Sequence, residues 1–148
     1  MRLSPNRENK WPYLFSEGYE VTSIETFEYN CIAFAADVQV EWWWPDANGD
    51  AAWPISWREE TTECFIEAFQ SLGYFGHESC DSSLEAGFEK IAVYSLRGVP
   101  THAAKQLPDG RWKSKLGAWE DIEHNTPKAV EEYLYGKAVV FMKRQRAL

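Results

Sequence analysis

The run Asn30-Cys31-Ile32-Ala33-Phe34-Ala35-Ala36 is where residue type and spacing could do covalent chemistry in this chain. Small and apolar residues follow one another there without a turn signal, which predicts a buried helix. Asn30 fits the cap, because its side-chain oxygen can accept from a first-turn amide, and Cys31 is then the first helical residue. A thiol so placed sits among unpaired backbone amides, which favour a thiolate and a developing oxyanion. Attack on a carbonyl also needs an imidazole to take the thiol proton and pass it to the leaving group. His102 is the partner: it follows a Gly-Val-Pro-Thr turn near the start of a predicted strand. Ser114 lies on the returning strand, placed to orient that ring, with Lys115 beside it. The plainer reading of Cys31 is a small buried hydrophobe.

Other reactive types carry less. His77 and Cys80 have a His-x-x-Cys spacing and Cys64 could join them, but a structural zinc site needs four ligands and no second close pair exists. No metal and no cofactor are expected. His124 lies in the acidic run Glu120-Asp121-Ile122-Glu123-His124, either as a loop histidine or as a partner near the cleft. Asp121 and Glu123 read as adjacent acids on a loop, with nothing to set them across a cleft as a glycosidase pair. Trp42, Trp43 and Trp44 follow the nucleophile helix and either wall a substrate groove or pack their loop onto the domain.

The positioning elements follow from period and punctuation. Residues 1–20 are interrupted by Pro5, Pro12 and Gly18 and read as an irregular arm. Residues 42–57 are a loop broken by Pro45 and Pro54. A helix over about 60–73 is capped by Thr61 or Thr62, presents Phe65, Phe69 and Leu72 on one face, and stops at Gly73. From Glu89 the period becomes two, giving strands at about 89–96, 101–107 and 111–115, with Pro108-Asp109-Gly110 as a hairpin turn. A helical turn at 126–134 and a last strand at 137–143 complete the order. The expectation is an α+β domain, with N-terminal helices packed on an antiparallel sheet of four or more strands.

The composition bounds the rest. A chain of 148 residues is one domain, spanning 1–148, and 45% hydrophobic residues suffice for a core. A net charge of −8 argues against duplex nucleic acid, and the basic run Lys143-Arg144-Gln145-Arg146 reads as a solvated tail. No stretch is apolar enough for a membrane span, and five glutamates in the first 30 residues exclude a standard secretory signal. Three cysteines fit a reducing compartment, so the expected location is the cytoplasm.

Two segments resemble papain-like cysteine hydrolases of the NlpC and CHAP amidase kind. The first is Tyr29–Ala35, similar to their nucleophile helix. The second is Thr101-His102-Ala103-Ala104 with Asp109-Gly110-Arg111-Trp112-Lys113-Ser114-Lys115-Leu116-Gly117, similar to their catalytic hairpin. The resemblance implies a papain-like, NlpC-like fold, with Cys31 as nucleophile, His102 as base and Ser114 as orienter. Ser114 departs from the His, Asn, Asp or Gln usual at that position. The expected function is hydrolysis or acyl transfer on an amide or thioester of a small molecule or peptide, with Asn30, Trp42, Trp43, Trp44 and Lys115 near the substrate. The alternative is a binding module that docks a protein partner through loop 42–57.

Overall fold

A computed structural model describes residues 1–147. The described residues build one six-stranded antiparallel sheet. Its strands are β1 (Tyr19–Ser23), β2 (Phe88–Leu96), β3 (Val99–Gln106), β4 (Trp112–Lys115), β5 (Asp121–His124) and β6 (Lys137–Gln145), in the order β1-β5-β4-β3-β2-β6. The helices are few and short: α1 (Pro5–Glu8), α2 (Leu14–Glu17), α3 (Cys31–Ala35), α4 (Thr62–Gln70) and a 3₁₀ turn at Pro127–Val130.

This corrects the expected fold class. Helices make up only 18% of the chain, and the arrangement of N-terminal helices laid on a sheet is not what the chain adopts. Pro5, Pro12 and Gly18 limit the arm to two single turns, and the chain then enters the sheet as edge strand β1. The acidic segment at 121–124 is strand β5 rather than a loop, paired with β1 on one side and β4 on the other. The basic run is no solvated tail either. Lys143 pairs with Glu85, and Arg144 pairs with Glu89, along β6.

Alternation along β2 and β3 divides the core in two. Ile91, Val93 and Ala103 face Ile32, Ala35, Phe65 and Phe69 of α3 and α4. Ala92, Tyr94 and Ala104 face Trp11, Leu14, Trp112, Ile122 and Tyr135. Helix α4 begins where its sequence predicts: the Thr61 hydroxyl accepts from the Cys64 amide at 3.2 Å. Among the described residues no helix is long and apolar enough to cross a membrane.

The turn before β6 depends on Gly136. Its φ is 71°, and a Cβ there would lie 1.9 Å from the Ser95 carbonyl oxygen. Gly136→Ala is therefore expected to cost about 2 kcal/mol or more. Urea unfolding checks this: the midpoint falls with an unchanged slope. An unmoved midpoint contradicts the packing described.

Candidate functional site

Asn30 holds together both the helix start and the loop beyond it. Its Oδ1 accepts from the amides of Ala33 at 3.2 Å and Trp43 at 3.0 Å, while its Nδ2 donates to the Trp43 carbonyl at 2.8 Å. The cap predicted from sequence is thus formed, and Cys31 is the first residue of α3. The loop is tied a second time at Asp46, whose carboxylate accepts from the amides of Asp50 and Ala51 and from Arg58. Between these ties lies a cleft of about 520 Å³, lined by Cys31, Trp42, Trp44, Asp46, Thr101 and Gly117 among others.

Cys31 is at the floor of this cleft, 7% exposed. Burial pushes its thiol up to about 11, against the pull of the Ala103, Ile32 and Cys31 amides and of Lys115. Its Sγ points to the Thr101 carbonyl at 4.0 Å. The sulfur can reach that carbonyl because the β3–β4 ladder opens. The two strands pair only at Lys105–Lys113 and Gln106–Trp112, although β4 runs on to Lys115. Leu107 donates to Arg111, so odd-numbered residues of β3 turn their backbone groups toward β4. Above the last pair, the Thr101 carbonyl and Ala103 amide look into an open seam, and the sulfur fills it from the α3 side.

His102 approaches from the other face. It is fully buried, edge-on to Tyr94 at 5.2 Å and stacked on Tyr135 at 4.0 Å and 8°. Its Nε2 is 3.0 Å from Ser114 Oγ, which bridges the seam to β4. Ser114 Oγ is also 2.8 Å from Nε2 of His124, whose Nδ1 is 2.7 Å from the Thr126 carbonyl. Nδ1 of His102 has no hydrogen-bond partner among the described residues, so no hydrogen bond joins it to the Cys31 thiol. Burial, and then His124, hold His102 well below the ordinary histidine value. Burial brings His124 to about 4, opposed by the Thr126 carbonyl.

The structure thus joins His102 to Ser114, and joins Cys31 to Trp42 and Trp44. It places the remaining sequence candidates apart. Trp43 packs into the core against α3 and α4 rather than lining the cleft. Lys115 is fully buried under Tyr29, where its Nζ lies 3.7 Å from Asp121 and donates to the Trp119 carbonyl. The Cys64 thiol donates to the Trp57 carbonyl at 3.2 Å, and among the described residues no group of three or more His, Cys, Asp or Glu is arranged to hold a metal ion. Sequence reasoning missed Thr101, Gly117, Asp46 and Asp50 as cleft residues and Tyr135 as the lid on His102. Of these Thr101 and Gly117 carried a signal, as the two ends of the segment that resembles a catalytic hairpin.

Residues 20–143 match the family described as a domain of unknown function (DUF7689), and the chain belongs to that family. No curated protein and no solved structure matches it.

The buried imidazoles make stability depend on pH with a definite sign. An unfolded chain protonates them below the ordinary value of 6.5, while the folded chain keeps His124 neutral to about 4. The unfolded state binds more protons in that window, so stability is full above it and falls as the pH drops through it. Urea midpoints between about pH 7.5 and 4.5 should decline, and His124→Gln should make the decline shallower. A slope that His124→Gln leaves unchanged contradicts the assignment.

Proposed function

We propose that this chain is a cysteine-dependent hydrolase or acyltransferase acting on an amide or thioester. Cys31 is the nucleophile and His102 its base. One observation carries the reading: the buried His102 leaves Nδ1 without a partner while Nε2 is tied to Ser114, and the residue next to it, Thr101, touches the sulfur at the cleft floor. A buried polar atom without a partner calls for an explanation, and a base awaiting a proton is one.

At rest both groups are neutral. When a carbonyl compound enters between Trp42 and Trp44, Nδ1, which has no contact with the sulfur in the resting fold, must come within hydrogen-bond reach of Sγ through the seam and take the thiol proton as Sγ bonds to the carbonyl carbon. The amides of Cys31 and Ile32 stabilise the oxyanion. The imidazolium then protonates the departing amine or thiol, and water or another acceptor, activated by His102, releases the acyl group. The two segments that resemble NlpC and CHAP amidases support the same chemistry, and the three free thiols support work in the cytoplasm.

A second reading has its own observation. A sulfur 7% exposed that keeps its proton to about 11 is a poor resting nucleophile, and Trp42, 40% exposed, stands at the cleft rim. On that reading the Trp-rich loop docks a protein partner and Cys31 only packs.

Labelling with carbonyl-mimicking electrophiles, such as peptide nitriles and chloroacetamides, separates the two. The enzyme reading expects saturable labelling of Cys31 that falls at least about 100-fold in His102→Ala. Labelling that is unsaturable, or indifferent to His102→Ala, overturns it and leaves the docking reading.

A further inference from the structure

We infer that His124, acting through Ser114, fixes His102 in the tautomer whose Nδ1 is bare, so that the nitrogen left without a partner is the one able to accept a proton. The inference rests on the hydrolase reading above and assigns His124 as a positioning residue.

The Thr126 carbonyl can only accept, so Nδ1 of His124, 2.7 Å away, must carry a proton. A neutral imidazole holds one N–H, so Nε2 of His124 is an acceptor. Burial keeps that ring neutral at physiological pH. The group 2.8 Å from Nε2 is the Ser114 hydroxyl, which must therefore donate to it. A hydroxyl has one proton, and it is now committed. Toward His102, Ser114 Oγ offers only lone pairs, so the 3.0 Å contact is a hydrogen bond only if Nε2 of His102 holds the proton. Nδ1 of His102 is then bare.

The far end of the chain agrees. Nδ1 of His102 is buried and has no partner among the described residues. As an N–H it would be an orphaned donor, whereas as a lone pair it is ready to take a proton. The opposite polarity would set two lone pairs against each other at His124 and Thr126. A backbone carbonyl thus dictates, through two side chains, which nitrogen of His102 carries the proton.

The relay also explains how a serine can serve where the resembled hydrolases place an amide, an acid or an imidazole. Alone, the Ser114 hydroxyl could rotate and donate to His102 Nε2, which would move the ring proton to Nδ1 and block the base. His124 removes that freedom by accepting the hydroxyl proton.

The test is nitrogen NMR of the full chain with ¹⁵N-labelled histidine at neutral pH. His102 is expected to show a protonated Nε2 and a bare Nδ1, and His124 the reverse. His124→Leu should release Ser114 and turn the single His102 tautomer into a mixture. His124→Gln, whose side-chain carbonyl can accept from Ser114, should restore it. A protonated Nδ1 on His102 in the unmutated chain overturns the inference. So does an unchanged tautomer in a folded His124→Leu, or, where that variant does not fold, a mixture in His124→Gln. The readout needs no turnover. The expected tautomers with a Cys31 that ignores every electrophile would leave the relay standing and sink only the hydrolase reading.

Discussion

The parting of β3 from β4 above Lys105 and Lys113 is the constraint on which the site depends. Two more rungs of ladder would occupy the Thr101 carbonyl and the Ala103 amide and would close the space that Sγ fills. The Ser114–His102 hydrogen bond spans the gap instead, side chain to side chain. The sulfur lies against the Thr101 carbonyl on the α3 face, and His102 meets Ser114 on the other. The cleft above exists because Asn30 and Asp46 hold the Trp-rich loop back from the opening.

The three groups of the proposed chemistry, Cys31, His102 and His124, carry no charge at rest. Burial keeps the thiol protonated and both imidazoles neutral, which is the cheapest state for groups removed from water. The ionic pair of Lys115 with Asp121 is buried on β4 and β5 beneath Tyr29, and Asp46 at the cleft wall is paired with Arg58. The proposed chemistry therefore begins with a proton transfer between neutral partners when a carbonyl arrives, in place of a preformed thiolate and imidazolium.

What the sequence made legible was local. The Asn30 cap, the start of α3 at Cys31, the Thr61 cap and the hairpin at Pro108–Gly110 all follow from side chains that bond to their own neighbourhood. Strands β1 and β5 were not legible. They are five and four residues long, and β5 carries Asp121 and Glu123, which strands otherwise disfavour. Those acids are tolerated because Tyr29 and Lys115 meet the first and Arg111 meets the second, partners that only the folded chain brings alongside. Likewise Trp42 and Trp44 face the cleft while Trp43 packs inward. Nothing in the run Trp42-Trp43-Trp44 distinguishes them before Asn30 takes hold of the Trp43 backbone. The join between His124 and Ser114 needed the β4–β5 register, which only the folded sheet supplies.

The most direct test of the central claim is an experimental structure of the full chain with Cys31 captured by a peptide nitrile. A thioimidate carbon bonded to Sγ is expected in the cleft between Trp42 and Trp44, with Nδ1 of His102 brought within hydrogen-bond distance of the adduct through the β3–β4 seam. An adduct on Cys31 with Nδ1 still unpartnered behind β3, or a seam zipped shut, would contradict it.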